Sequence, residues 1–248
     1  MMHRDSTLLH RDNQGHSMPL PETAVTVTAE PTAKKQRAPS PTTQARRLKQ
    51  VQEKRQIIIN AALPLFSRSG FHGVSVEQIA DSADVSKTNL LYYFENKESL
   101  YKAVLQSILS LWLAPLKAFS ADEQAQVAIE KYIRDKMIAS RDNPDASRVF
   151  CLEVVQGAPI IGDELRHGLK DLVDLKSSVI RTWIEQGQLH AVEPYHFLFT
   201  LWSVTQHYAD FAVQVKALSG KTLKDKKFFE EAVSNVQNII LHGILPRS

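Results

Sequence analysis

Between Lys87 and Tyr93 the side chains that can donate, accept or stack fall on one side of a short helical pattern. Leu90 and Phe94 stand four apart and turn inward, which leaves Lys87, Thr88, Asn89, Tyr92 and Tyr93 outward. A cation, short hydrogen-bonding groups and two phenols, near a helix N-terminus that favours anions, suit the edges and phosphates of a nucleic acid. A second grouping is Trp202 and Gln206, also four apart, in a strongly apolar helical stretch. An indole gives a flat wall and a primary amide gives donors beside an acceptor, a pairing for a small planar molecule with alternating carbonyl and N–H groups. The same spacing equally describes a core tryptophan and a glutamine bonded to a neighbouring helix. A third grouping, Cys151, Glu153, His207 and Asp210, can be assembled into a nucleophile, a base and an orienting group.

The third grouping lacks a local signature. The chain has no Gly-x-Ser-x-Gly elbow, no Gly-x-x-x-x-Gly-Lys phosphate loop and no His-Glu-x-x-His. Its nine histidines are scattered, and a single cysteine allows neither an internal disulfide nor a thiolate metal cluster. The expectation is therefore a protein that is not an enzyme and needs no metal or cofactor, with a Cys151-dependent hydrolase as the remote alternative. No segment reads as a signal peptide or membrane span, which places the protein in a reducing cytoplasm, away from membranes and associated with the nucleoid.

The outward residues need elements to hold them. Ser75 is a candidate N-cap for a helix whose buried side is Val76, Ile79, Ala80 and Ala83. Asp84-Val85-Ser86 interrupts that pattern, and Ser86 caps the next helix, giving a helix-turn-helix. Asp84 can take the left-handed turn conformation, with its side chain bonded locally. A preceding helix over about Val51–Ser69 supplies Ile57, Ile58, Ala61, Ala62, Leu65 and Phe66 as core, ends at Gly70 and carries a kinking Pro64. Asn96 caps a longer helix that reaches Trp112 and ends near Ala114-Pro115. Lys97 and Trp112 are thus roughly 22 Å apart on one rod. Helices follow over 121–140, 145–156, 163–187, 194–218 and 225–244, and no period-two strand pattern appears.

The expected class is all-α, with three parts: a Pro-rich tail (1–45), a DNA-binding domain (46–98) and a helical effector-binding and dimerisation domain (99–248). Residues 1–55 hold ten Lys/Arg against five acids, a net +5 that leaves −2 for the rest of a chain whose total is +3. A basic arm on an acidic body points to a polyanion. The tail has five prolines and no aromatic residue, a composition that predicts disorder. Arg46 and Arg47 at its basic end either contact phosphates or a minor groove, or belong to a solubilising tail. Met2 and Met18 are alternative starts.

Gly70-Phe71-His72-Gly73-Val74-Ser75-Val76, followed by Ile79-Ala80, Ala83, Val85-Ser86, Leu90, Tyr92, Phe94 and Lys97, resembles the DNA-binding domain of the TetR family over residues 54–100. The departures are Asp84 where the family usually has glycine, Leu91 where tyrosine is common, and Pro64. The segments Val85–Phe94, Trp112–Phe119, Ala146–Cys151 and Thr205–Phe211 resemble a branch of that family concerned with pyrimidine use. This resemblance implies a homodimer that binds a palindromic operator in double-stranded DNA and is released by uracil, controlling pyrimidine degradation genes. It implies DNA contacts from Ser75, Lys87, Thr88, Asn89, Tyr92, Tyr93 and Lys97, and an effector pocket of Trp112, Lys117, Ser147, Cys151, Trp202 and Gln206. A repressor of the same family with another effector is the alternative. Leu198, Leu201, Phe211, Phe228, Val236, Ile239 and Ile240 are available for dimerisation through the last two helices.

Overall fold

In a computed structural model, residues 41–246 are described, and all their regular structure is helical. The expected disorder of residues 1–40 lies outside the described residues. The helices are α1 (Pro41–Ser69), α2 (Val76–Ser82), α3 (Lys87–Tyr93), α4 (Lys97–Lys117), α5 (Ala125–Asp142) and α6 (Pro144–Val155). Then come α7 (Gly162–Glu164), a π-helical turn (Leu165–Leu169), α8 (Lys170–Glu185), α9 (Pro194–Asp210), α10 (Ala212–Ser219) and α11 (Lys226–Ile244).

Helix α1 begins ten residues before the expected Val51 and stays helical through Pro64. Arg46 and Arg47 consequently sit exposed on a helix and not in an arm. Ile58, Ala62 and Phe66 face inward as expected, but Ile57 is 46% exposed because it stands on the next face round. Gly70 closes α1 at φ +68, a conformation that needs no Cβ accommodation only in glycine.

Against α1 pack α2 and α3, through Ile79, Ala80, Ala83, Leu90 and Phe94, in a core that continues along α4 by Leu100, Val104, Leu105, Ile108 and Trp112. Two residues of α6, Ala146 and Val149, join that same core. Polar contacts reinforce the α1–α6 join: the Ser67 hydroxyl donates to Asp145 Oδ1 at 2.7 Å and accepts from Arg148 Nη1 at 3.2 Å. Helix α4 runs unbroken across the expected 98/99 boundary.

A second core joins α5, α8, α9 and α11 through Ile129, Tyr132, Ile133, Trp183, Leu198, Leu201, Val233 and Val236. Buried Lys176 of α8 donates to the carbonyls of Lys117 (2.9 Å) and Phe119 (2.8 Å), which satisfies the C-terminal end of α4.

Two expected helices prove to be composite. The segment 163–187 contains the π-helical turn, and 194–218 breaks at Phe211 (φ −111, ψ 32). No glycine or proline marks that second break. It follows Asp210, whose carboxylate is bonded across to Ser147 on α6. Leu198, Leu201, Val236 and Ile240 are buried within the chain, since their helices need them to close the second core. Of the residues expected at a dimer surface, Phe211 (53%) and Ile239 (64%) are exposed.

Candidate nucleic-acid interface and effector cavity

The DNA-facing end is held by short-range bonds. Ser75 Oγ accepts from the Gln78 N–H at 3.2 Å, and Gln78 Oε1 accepts from the Ser75 N–H at 2.8 Å, a complete capping box. Ser86 Oγ accepts from the Asn89 N–H at 3.1 Å, and Asn96 Oδ1 from the Ser99 N–H at 2.8 Å. Between α2 and α3 Asp84 sits at φ +52, the left-handed region. Its N–H donates to Asp81 O at 3.2 Å, and the Val85 N–H donates to Ala80 O at 3.0 Å. The backbone therefore makes the turn, and the expected local bond from the Asp84 side chain does not occur among the described residues.

On α3, Thr88 and Asn89 are exposed and Tyr92 is 76% exposed. Tyr93 is half-buried and meets the Tyr92 ring edge-on at 5.1 Å. Lys87 is outward too, but it is paired: Nζ lies 2.6 Å from Glu77 Oε1. The hydrogen bond from Lys87 is the largest cause of a Glu77 carboxyl pulled down to about 2, so the pair stays ionised well into acid.

Lys97 departs from expectation. Its ammonium donates to the carbonyls of Phe71 and Val74, both at 2.9 Å, and rests 4.6 Å over the Phe71 ring. The first residue of α4 lies directly over the loop before α2, so this charge pins the loop and does not face out beside α3.

Arg55 was legible in the sequence only as one of ten basic residues. From α1 its Nη1 donates to the Tyr93 carbonyl, at the C-terminal end of α3, and its guanidinium lies 4.1 Å over the Phe94 ring. A planar cation satisfies a helix-terminal carbonyl and stacks on an aromatic face at once. This one side chain thereby fixes α3 against α1.

Farther along α4, Trp112, Trp202 and Gln206 line one cavity together with Leu109, Leu113, Lys136, Phe150 and Leu169. Its volume is about 80 Å3, several times the ~10–15 Å3 that one water needs. An open groove of about 340 Å3 between α6 and α9 shares Phe150, Trp202 and Gln206 with it as lining residues. Cys151 lines this groove, with Asp210, His207 and Phe211.

Lys136 is the residue that the sequence reading missed. It is 2% exposed, and Nζ lies 4.4 Å over the Trp112 ring. Burial pushes the Lys136 ammonium down to about 8, with the Asp210 charge partly opposing. Beside it, the buried Nε1–H of Trp112 has no hydrogen-bond acceptor among the described residues. The available signal was a lysine on the apolar face of α5, in register with Ile129, Tyr132, Ile133 and Met137.

Asp210 accepts from fully buried Ser147 and, at 3.5 Å, from Gln206 Nε2. Burial raises its pKa, and the bonds from Ser147 and Gln206 pull the other way. Ser147 thus acts on the groove indirectly, by holding Asp210. Lys117 is exposed at the end of α4 and lines neither space.

Of the catalytic grouping, Cys151, His207 and Asp210 line one groove and Glu153 lies outside it. Glu153 is buried, and its Oε1 accepts from the N–H groups of Ile160 (2.7 Å) and Ile161 (3.1 Å), so it caps the turn before α7. Burial, and then the Asp210 charge, push the Cys151 thiol up, away from the nucleophilic thiolate.

A capped helix-turn-helix with a polar recognition face, joined by a rod to a helical body with an internal cavity, defines a ligand-responsive DNA-binding regulator. The chain belongs to the TetR family of transcriptional regulators. The family model for bacterial regulatory proteins of the tetR family matches residues 58–104, and that for the C-terminal region of YcdC-like proteins matches residues 105–247. The HTH-type transcriptional regulator RutR of Escherichia coli (strain K12) is 54% identical over 205 residues, 83% of this chain and 97% of that protein. The HTH-type transcriptional repressor NicS of Pseudomonas putida is 39% identical over 57% of this chain and 66% of its own length. Among solved structures, the ketosteroid transcriptional regulator KstR2 of Mycobacterium tuberculosis shares the fold, with a TM-score of 0.61 at 15% identity over 78% of this chain and 95% of that one. These relatives are regulators, not enzymes, and TetR-family regulators bind DNA and act as dimers.

Proposed function

We propose that the protein binds a palindromic operator as a homodimer and releases it on binding uracil, thereby controlling genes of pyrimidine degradation in the cytoplasm. The observation that carries this reading is the convergence of Trp112, Trp202 and Gln206 on one cavity, since Trp112 belongs to the helix whose first residue anchors the DNA-binding loop. Uracil is flat and neutral, with an edge that a carboxamide can read, and the RutR likeness supports it. The exposed apolar residues of the last helices, Phe199, Phe211, Val213, Leu218 and Ile239, supply the dimer surface. In such a dimer the two α3 helices must stand about 34 Å apart, or a multiple, to meet successive major grooves.

Uracil packing against Trp112 would tilt α4 and change that spacing. Induction requires uracil to prefer the DNA-free state, on the usual scale of about 1–3 kcal/mol. Gel-shift or anisotropy titration of operator DNA, with and without saturating uracil, tests it. A 5- to 150-fold weakening is expected, and unchanged operator affinity refutes induction by uracil. A second reading, with another small carbonyl-bearing effector, is favoured by Lys136, whose buried ammonium lines the cavity and suits any strong acceptor.

A further inference from the structure

The cavity beside Trp112 measures about 80 Å3, well short of the ~300–1,000 Å3 typical of small-molecule sites. A ring that lodges there needs a wall to yield. Four of its walls are α4, α5, α6 and α9, each of which buries several residues in a core. The fifth is Leu169, at the end of the π-helical turn, an element with no fully buried residue. The wall that buries least opens at the lowest cost.

The same turn is tied to the DNA-facing end. It follows directly on Glu164, whose Oε1 accepts from Gln106 Nε2 at 2.8 Å and lies 3.0 Å from Lys102 Nζ. Both partners stand on α4, between Lys97, which pins the loop before α2, and Leu109, which lines the cavity. Upstream, Glu153 of α6 holds the N–H groups of Ile160 and Ile161. Ile161 and Leu165 pack into the core of the DNA-facing end, whereas Leu169 packs against the second core. Residues 160–169 are thus anchored on α6, latched in the middle to α4, and end at the cavity. The latch is incomplete, because Glu164 Oε2 is buried with no hydrogen-bond partner among the described residues. An unpaired buried oxygen costs free energy, so the latched arrangement is held against a penalty that opening relieves. Single π-helical turns are rare and recur at functional sites.

We propose that the π-helical turn gates the effector cavity, and that Glu164 is the positioning residue that ties the closed gate to α4. With the gate closed, Leu169 narrows the cavity and Glu164 holds α4 between its DNA anchor and Trp112. Entry of an effector displaces Leu169, and the turn draws Glu164 away from Lys102 and Gln106. The sign rests on the reading that uracil releases the operator: operator DNA then favours the closed gate and uracil the open one. That opposite preference is what induction requires. Glu164 lines neither the cavity nor the groove, so it acts on ligand only through the gate.

The test has two arms, both on the full chain. In calorimetry, Glu164→Ala should bind uracil about 3- to 10-fold more tightly than the wild type, because the open gate becomes more populated. A residue that merely supports the fold gives unchanged or weaker uracil binding, and either result overturns the gate. Should the Ala variant lose its helical circular dichroism, Glu164→Gln, which keeps the shape and drops the charge, should tighten uracil binding about twofold or more; no gain is equally decisive. The second arm needs no effector. Saturation with a palindromic operator duplex, selected by the protein from random sequence, should slow hydrogen exchange of residues 162–169 at least about fivefold in the wild type. Unchanged exchange there overturns the tie to DNA. If operator slows that exchange and uracil binds neither protein, the uracil reading fails and the gate stands.

Discussion

The two ends of α4 are built by opposite means. At its start, the DNA-facing groups stand on short helices whose ends are closed by bonds three residues long: Ser75 with Gln78, Ser86 with Asn89, Asn96 with Ser99. Those groups reach into solvent and wait for a polyanion. Fifteen residues on, Trp112 enters a cavity also lined by α5, α6, α9 and the end of the π-helical turn. Beside it, Gln206 is tied to Asp210 and Asp210 to Ser147, a contact over sixty-three residues of sequence. The DNA reader is thus a local construction that tolerates change at its surface. The candidate effector cavity is a tertiary one, assembled from four helices and a turn.

The largest effects should come from a reciprocal pair of substitutions that tests this separation. Tyr92→Ala removes a side chain that is 76% exposed and so costs the fold little. It should weaken operator binding by about 10- to 150-fold, the range for losing a base-reading contact. Uracil binding, followed by calorimetry, should stay unchanged. Gln206→Ala should give the reverse, about a tenfold or greater loss of uracil affinity with ligand-free operator binding intact. If either variant loses both activities, the two ends are not separable and the contrast fails.

The contrast also explains what could be read from the chain alone. Caps, Gly70 and the buried stripe of α2 and α3 follow from residue type at fixed offsets, so the helix-turn-helix was legible almost to the residue. The roles of Lys97 and Arg55 were not, although both lie in that same region. Each depends on a carbonyl from a different element, Phe71 and Val74 for one and Tyr93 for the other, and no sequence spacing encodes that meeting. In the cavity Trp112, Trp202 and Gln206 were found by spacing and resemblance together. Lys136 was overlooked because a lysine on an apolar face reads as an interruption until its surroundings are known. Lys117 was included through its place in a matching segment, and it is exposed at the end of α4 without lining the cavity. The break at Phe211 carries no local breaker; it follows Asp210, which is bonded across helices to Ser147.

Arg55 offers a finer test, since it lies at the DNA end yet acts through tertiary contact. A residue that positions α3 and one that binds phosphate both weaken the operator complex when removed. They differ in salt dependence. Losing a phosphate contact flattens the slope of log K against log salt by about 0.9. Arg55→Ala should weaken operator binding about tenfold, roughly 1.4 kcal/mol, with the slope unchanged. Arg55→Lys keeps the charge but loses the planar fork, and it should not restore affinity fully. A flattened slope, or full rescue by lysine, would make Arg55 a phosphate ligand and remove this exception from the local end.

The smallest expected effect concerns the Lys87–Glu77 ion pair on the reading face. Glu77 holds Lys87 at 2.6 Å in the free protein, and both side chains are more than half exposed. Exposed pairs contribute little to stability, so Glu77→Gln should leave the melting temperature nearly unchanged. At the DNA surface the same carboxylate has two consequences of one sign. It repels phosphates, and it competes with them for Lys87. Removing it should tighten binding to non-specific duplex by about threefold at low salt, and the gain should fade as salt rises through the physiological range. Specific operator binding should gain less, because Lys87 also loses the partner that holds it in place for a base edge or a particular phosphate. The ratio of specific to non-specific affinity should therefore fall. If Glu77→Gln instead weakens both complexes alike, the pair is part of the architecture of α2 and α3, and the local end of the molecule depends on side-chain coupling more than its caps suggest.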